Sequence, residues 1–278
     1  MGTIFPPKPN TLEEIFDKKK PIIGVLHLKP LPGSPYFKGE SLEKAIDFAI
    51  KDAISYENGG VDGLIVENGW DMPFLKPEDV GPETVAGLTA VTQEVKKEVE
   101  LPLGINCLAN AAIQSLAIAK ATDCQWVRVN QWINAYIANE GFIEGAASKA
   151  MRYRSKIKAD EIKIFADIHV KHGSHSIIAD RSVEEQTRDA VWFDADVLIG
   201  SGNRTGDPTP LNEIKKIKIS TELPVIVGSG LNKEIAYETL KLADGAIVAS
   251  SLKEDGLWWK PVDENRVKEL MEEVYKLR

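Results

Sequence analysis

Along this chain, short apolar runs rich in β-branched residues alternate with longer segments whose apolar residues recur every three or four positions. The short runs predict strands, and the longer segments predict amphipathic helices. Eight strands are predicted, at residues 22–28, 63–67, 103–108, 126–130, 162–170, 197–201, 225–228 and 246–249. Eight helices alternate with them, at residues 41–58, 82–99, 110–121, 140–157, 182–194, 210–219, 233–241 and 263–277.

This alternation predicts an α/β protein, a single (β/α)8 TIM barrel. A doubly wound sheet usually carries an early Gly-x-Gly-x-x-Gly turn, and none follows the first predicted strand. Because no linker divides the chain, we predict one domain over residues 1–278. Its first 20 residues are a proline-rich extension with a short helix, for which Thr11 is the predicted N-cap.

Enzymes with a TIM barrel bind their substrates where the strands end, so polar residues should gather there. They do so at the ends of five predicted strands, in His27, Glu67, Asn68, Asn106, Arg128, Asn130 and Ser201. A single asparagine or serine often only satisfies a loop, but the joint placement predicts one site at the mouth of the barrel. The loop after the sixth strand adds Arg204, expected to contact an anion, and Thr205, expected to contact a hydroxyl group.

The fifth predicted strand ends in a cluster of ionisable groups. Side chains alternate along a strand, so Asp167, His169 and Lys171 are predicted to share one face. Burying them would be costly unless they contact one another or a ligand. A solvated edge strand is the alternative. We therefore predict Glu67, Asp167, His169 and Lys171 as catalytic residues, and the other polar strand-end and loop residues as substrate-binding.

The last two strands are followed by small residues, Gly228-Ser229-Gly230 and Ala249-Ser250-Ser251, which we name the glycine–serine cradle. Small residues let backbone N–H groups approach an anion closely. Because TIM barrels often hold a phosphate at this place, the cradle is predicted to bind phosphate. Two ordinary tight turns are the alternative interpretation.

The composition narrows the class of protein. A net charge of −8 argues against a general nucleic-acid-binding surface. The two cysteines lie in apolar surroundings, which is typical of buried thiols in a reducing compartment. No signal peptide and no apolar run of about 18 residues is present. We therefore expect a cytoplasmic protein without a membrane span, and a homo-oligomer because barrels of this size commonly associate.

Several motifs resemble the BtpA/SgcQ family from about residue 20 onward. They are Gly24-Val-Leu-His-Leu-Lys-Pro-Leu-Pro-Gly-Ser-Pro, Gly60-Val-Asp-Gly-Leu-Ile-Val-Glu-Asn, Arg128-Val-Asn, Arg152-Tyr-Arg and Ala166-Asp-Ile-His-Val-Lys-His. The resemblance implies a ribulose-phosphate-binding type of barrel. One family member is linked to photosystem I biogenesis, while others look like enzymes of carbohydrate or nucleoside metabolism.

The candidate residues allow several chemistries. In the first, an enzyme acts on a sugar phosphate or a nucleotide-derived compound as a lyase or isomerase, with Lys171 as a Schiff-base or acid–base residue and Asp167 and His169 as proton carriers. In the second, Glu67 and Asp167 hydrolyse a ribosyl bond. No cofactor is required by the sequence, although Glu67, Asp167 and His169 could hold a divalent metal ion. A non-catalytic assembly factor is the third alternative, and the number of ionisable groups at the mouth argues against it.

Overall fold

The computed structural model describes residues 7–278, so the first six residues of the predicted extension lie outside the described residues. The described strands are β1 (Ile22–His27), β2 (Gly63–Glu67), β3 (Leu103–Asn106), β4 (Trp126–Val129), β5 (Ala135–Ala138), β6 (Gly141–Glu144), β7 (Lys163–Asp167), β8 (Gly173–Ser174), β9 (Val197–Gly200), β10 (Val225–Val227) and β11 (Gly245–Val248). The described α-helices are α1 (Thr11–Phe16), α2 (Leu42–Gly59), α3 (Pro82–Glu98), α4 (Ala112–Thr122), α5 (Ala147–Lys156), α6 (Val183–Trp192), α7 (Leu211–Lys218), α8 (Lys233–Leu242) and α9 (Glu264–Tyr275).

Eight of these strands close into a parallel barrel in the order β1-β2-β3-β4-β7-β9-β10-β11, which returns to β1. The predicted (β/α)8 fold is therefore confirmed. Almost every residue of the barrel strands is buried, because side chains fill the interior and helices cover the outside. This double burial explains why the strands appear in the sequence as continuous apolar runs and not as alternating ones.

Helix α1 closes the barrel at the end opposite the mouth. Leu12 and Phe16 join the inner apolar cluster, and the Phe16 ring meets the Trp126 ring edge-on, with centroids 5.4 Å apart. The N-cap is Asn10, whose side chain accepts a hydrogen bond from the Leu12 N–H group, and the predicted cap Thr11 is instead the first helical residue. The short extension therefore helps to complete the core.

Two predicted boundaries are wrong. The helix predicted at 140–157 begins only at Ala147, because residues 141–144 form β6 of a hairpin whose turn places Gly141 at a φ of +102°. The strand predicted at 162–170 ends at Asp167, the last residue of β7 that pairs with β9. His169 and Lys171 consequently lie in the loop after β7, where the alternation of a strand does not apply.

Strands β5, β6 and β8 form a small three-stranded sheet beside the mouth, which we name the lid sheet. The Tyr136 ring of β5 stacks on His175, with centroids 5.2 Å apart and planes 14° apart. His175 also contacts the His169 ring, with centroids 3.9 Å apart. This stack of three rings connects the lid sheet to the loop after β7.

A buried ion pair joins helix α2 to the segment that follows β11. The Lys253 amine donates to one carboxylate oxygen of Asp52, and both side chains are almost fully buried. The other carboxylate oxygen accepts a hydrogen bond from the Val262 N–H group at 2.8 Å.

Both cysteines are buried, and neither forms a disulfide. Within residues 7–278, no helix has the length and hydropathy needed to cross a membrane.

Candidate functional site

A cavity of about 540 Å³ opens where the barrel strands end. The structure brings thirteen of the predicted site residues to its walls: His27, Glu67, Asn106, Arg128, Asn130, Lys171, Thr205, Gly228, Ser229, Gly230, Ala249, Ser250 and Ser251. Two segments that the sequence did not indicate as parts of the site also contribute residues to the cavity wall. The lid sheet adds Tyr136 with its turn residue Glu140, and the loop after β2 adds Phe74.

Five predicted site residues do not line this cavity: Asn68, Asp167, His169, Ser201 and Arg204. The Asn68 side chain accepts from the Leu108 N–H group at 2.7 Å, so it fixes a loop. The ring of His169 faces His175, and burial, with the neighbouring His175, lowers the pKa of His169 to about 4. Because His169 is not among the residues that line the cavity, its predicted catalytic role has no direct support in this geometry.

Asp167 binds Arg128 at the end of the barrel strands. The Arg128 Nε and Nη2 groups donate to its two carboxylate oxygens at 2.9 and 3.0 Å, and the Ser201 hydroxyl group also donates to it. Burial alone would lower the pKa of Arg128, but the charges of Asp167 and Glu67 raise it. Asp167 therefore orients a permanent cation at the cavity, and this geometry disagrees with the predicted proton-carrying role.

Glu67 is held as an anion by its neighbours. Its carboxylate accepts a hydrogen bond from Asn106 Nδ2 at 2.6 Å and lies 3.4 Å from His27 Nε2. Burial alone would raise the pKa of this carboxyl group, but His27 and the cations Arg128 and Lys171 lower it to about 2. At neutral pH the group can stabilise positive charge, and it is a weak base.

Lys171 is the one predicted catalytic residue whose reactive atom is free. Its amine makes no hydrogen bond or ion pair with any residue in the described part of the chain, although the side chain lines the cavity. Burial and the nearby Arg128 cation lower the pKa of Lys171 to about 8, against the opposing effect of Asp167 and Glu67. A substantial fraction of this amine is thus neutral, and nucleophilic, near physiological pH.

The glycine–serine cradle lies at the ends of β10 and β11. The N–H groups of Gly230, Ser250 and Ser251 have no backbone acceptor among the described residues. Gly228 differs from the prediction, because its N–H group donates to the Gly200 carbonyl oxygen at 2.8 Å. The hydroxyl groups of Ser229 and Ser251 also donate to backbone carbonyl oxygens. The donors that the cradle can offer to an anion are therefore backbone N–H groups and the Ser250 hydroxyl group, which makes no hydrogen bond among the described residues.

The loop after β9 packs against the cradle at Gly230, and a hydrogen bond to His172 holds the same loop at Thr205. A Cβ atom at Gly230, whose φ is +69°, would lie 2.3 Å from the Asp207 carbonyl carbon, so only glycine allows this approach. The Thr205 N–H group donates to His172 Nε2 at 3.2 Å. Burial, with the nearby Lys171, lowers the pKa of His172, which favours the neutral ring that this hydrogen bond requires.

Gly228 makes room for the Arg128 guanidinium group, and this predicts the effect of a Gly228→Ala substitution. The new Cβ atom would lie 2.5 Å from the Ile199 side chain and 3.1 Å from Arg128 Nη2. We expect a displaced guanidinium group and an affinity for inorganic phosphate lowered roughly tenfold, measured by isothermal titration calorimetry. Gly87→Ala, whose Cβ atom meets Leu31 at an ordinary 3.5 Å, is the control. Unchanged phosphate affinity in a folded Gly228→Ala variant would contradict the expectation.

The proposed metal ligands are not brought together. Asp167 is bound by Arg128, and His169 is not among the residues that line the cavity. In the range 7–278, no group of three histidine, cysteine, aspartate or glutamate residues is placed to hold a metal ion. The donor set Glu67, Asp167 and His169 therefore does not fit a divalent cation.

Some residues of the site could not be recognised in the sequence. Tyr136 and Glu140 belong to the hairpin of β5 and β6. The sequence predicts a helix from residue 140 onward, so its pattern gave no indication of a sheet there. Trp258 is a further example: its carbonyl oxygen accepts a hydrogen bond from His27 Nδ1 at 3.2 Å, and the residue lines the cavity.

Comparison with solved structures shows the same fold in several enzymes. The chain superposes on tryptophan synthase of Mycobacterium tuberculosis with a TM-score of 0.62 and 14% identity, covering 96% of this chain and 99% of that one. It superposes on thiamine phosphate pyrophosphorylase from Pyrococcus furiosus with a TM-score of 0.53 and 17% identity, covering 93% and 96%. At these identities the likeness is one of fold alone.

Sequence relatives are much closer. An uncharacterized protein of Archaeoglobus fulgidus is 44% identical over 253 residues, which cover 91% of this chain and 98% of the relative. The photosystem I biogenesis protein BtpA of Synechocystis is 35% identical over 263 residues, which cover 94% and 90%. The sequence model of the BtpA family matches residues 18–276. The chain therefore belongs to the BtpA family.

Proposed function

We propose that this protein is an enzyme that acts on a phosphorylated carbonyl compound, with the Lys171 amine as the nucleophile that forms a Schiff base. The observation that carries the proposal is the unpaired Lys171 amine in the cavity, with a pKa of about 8. Structural lysines commonly have a carboxylate or carbonyl partner, as Lys253 has in Asp52. A desolvated lysine without a partner beside another cation is typical of amine catalysis.

The phosphate group is assigned to the glycine–serine cradle. Gly230, Ser250 and Ser251, whose N–H groups have no backbone acceptor among the described residues, line the same cavity as Lys171. Arg128 adds a cation that Asp167 holds in place. A ligand anchored at the cradle extends across the cavity, so that its other end reaches the groups beside Lys171.

The covalent step follows from ordinary amine chemistry. The neutral Lys171 amine adds to the carbonyl carbon to give a carbinolamine. One amine proton and one proton taken up from solvent leave with the carbonyl oxygen as water, and the imine that remains keeps the other amine proton and one positive charge. The imine carries one positive charge, and the Glu67 anion stabilises it across the cavity floor. The electron-withdrawing imine then labilises a neighbouring C–H or C–C bond, which gives the isomerase or lyase class of reaction.

The alternatives receive less support. Hydrolysis of a ribosyl bond by Glu67 and Asp167 needs one carboxylic acid with a raised pKa. Glu67 has a pKa of about 2, and Asp167 is held by Arg128. The Synechocystis relative is named for photosystem I biogenesis, but a purely structural role gives no reason for a free amine in a cavity.

Reductive trapping tests the proposal. Dihydroxyacetone phosphate or ribose 5-phosphate is incubated with the protein, sodium borohydride is added, and the adduct is mapped by mass spectrometry. We expect one adduct at Lys171, with a yield that rises with pH through about 8 because the neutral amine is the reacting form. Lys171→Met should abolish it.

The exposed Lys149 is the matched control for non-specific labelling, so Lys149→Met should leave the adduct at Lys171 intact. The Schiff-base proposal would be refuted if every phosphorylated aldose and ketose tested labelled only surface lysines and none labelled Lys171.

A further inference from the structure

Two amide oxygens in the cavity lack a hydrogen-bond donor among the described residues: Oδ1 of Asn106 and Oδ1 of Asn130. Asn106 is only 1% exposed. Its orientation is set by Glu67, because the carboxylate only accepts and must face the Asn106 Nδ2 group, 2.6 Å away. The Oδ1 atom is then left as a buried acceptor, which is a costly state unless something donates to it.

The two acceptors lie across the mouth from the glycine–serine cradle. Asn106 ends β3 and Asn130 follows β4, whereas the cradle follows β10 and β11. In the closed order of eight strands, β3 is four strands from β10 and β4 is four strands from β11. Four strands are half of the ring, so a ligand bound to the cradle by its phosphate directs its far end towards the two asparagines.

The oxygen atoms on this far wall accept hydrogen bonds. Besides the two amide oxygens, this wall contains the Glu67 carboxylate, which accepts a hydrogen bond from Asn106 Nδ2 and lies 3.4 Å from His27 Nε2. A hydroxyl group can donate to each of these oxygens, whereas a carboxylate or a second phosphate can donate to none of them.

We propose that the compound bound here is a phosphorylated polyhydroxy compound, whose hydroxyl groups at the end remote from the phosphate donate to Asn106 and Asn130. This inference rests on the proposed function for the position of the phosphate. It names the substrate class: sugar or polyol phosphates are accepted, and phosphorylated keto acids and other phosphorylated carboxylates are rejected.

Calorimetric titration of the whole protein tests this class. The probes are ribose 5-phosphate, ribulose 5-phosphate, fructose 1-phosphate, deoxy analogues that each lack one hydroxyl group, 3-phosphoglycerate and inorganic phosphate. We expect a hydroxylated phosphate to bind most tightly, with a loss of about tenfold or more when a remote hydroxyl group is removed. We also expect 3-phosphoglycerate to bind no better than inorganic phosphate.

Two variants locate the effect. Asn130→Asp keeps an acceptor oxygen, so the preference for the hydroxylated compound over its deoxy analogue should persist. Asn130→Leu removes the acceptor, so that preference should shrink while the affinity for inorganic phosphate stays the same. A fluorescence melting curve of each variant checks that it is folded.

The outcomes separate this inference from the proposed function. The polyhydroxy class is refuted if the hydroxylated and deoxy compounds bind with equal affinity, or if 3-phosphoglycerate binds most tightly. Neither result contradicts phosphate binding at the cradle. The class also falls if inorganic phosphate binds as tightly as every hydroxylated compound. If inorganic phosphate does not bind at all, the cradle and the proposed function fail together.

Discussion

A Lys171→Met variant should lose catalysis and gain stability. With the substrate identified by trapping, we expect kcat/KM to fall about 1000-fold or more, because the group that forms the covalent bond is removed. The affinity for inorganic phosphate should change little, because the cradle belongs to other strands. Kinetic assays together with calorimetry measure both effects.

Lys171→Arg distinguishes a nucleophile from a simple cation. Arginine keeps the positive charge but stays protonated and cannot form an imine, so this variant should be as inactive as Lys171→Met. Lys149→Met, at an exposed position of helix α5, should retain full activity. Substantial activity in Lys171→Arg would assign Lys171 an electrostatic role and would refute the Schiff-base step.

The stability of Lys171→Met depends on pH in a defined direction. The folded protein lowers the pKa of Lys171 from 10.5 to about 8, so the unfolded chain binds more protons between these values. The contribution of Lys171 to stability therefore rises with pH across this window, and below it the buried charge opposes folding. We expect Lys171→Met to be more stable at pH 7 by about 1–2 kcal/mol, allowing for partial exposure, and to lose this advantage towards pH 10. Urea unfolding at both pH values measures it.

Lys253→Met should be strongly destabilising, because it leaves the Asp52 carboxylate buried without its cation. Breaking a buried pair in this way costs roughly 3–5 kcal/mol. Urea denaturation should show the loss as a lower midpoint. The exposed pair of Lys233 and Glu269 provides the comparison, since solvent screens this pair and Lys233→Met should cost far less stability than Lys253→Met.

A second substitution should restore much of the lost stability. Asp52→Asn combined with Lys253→Met removes both charges and keeps an oxygen that can accept the Val262 N–H group. If Lys253→Met costs no more than Lys233→Met, the pair is not the buried connection between helix α2 and the segment after β11 that its burial indicates.

The barrel itself was predictable from the sequence for a physical reason. Strands buried on both faces must be apolar throughout, and helices that cover them must be amphipathic, so the two patterns alternate visibly along the chain. The mouth could also be predicted, because parallel strands end at the same side of the barrel. Thirteen of the predicted site residues consequently line one cavity.

The roles of individual residues were decided only by the tertiary structure. The sequence does not show that β7 ends at Asp167, because Ile168 and Val170 continue the alternation of apolar residues and the end of the strand is set by pairing with β9. It also cannot show that Asp167 meets Arg128, since the two are 39 positions apart and come together only when β4 pairs with β7. That contact pairs Asp167 with Arg128, whereas the Lys171 amine has no hydrogen-bond or ion-pair partner among the described residues. The sequence by itself determined the architecture and the side on which the site lies. Long-range pairing decided which polar groups are satisfied by one another and which remain for a ligand.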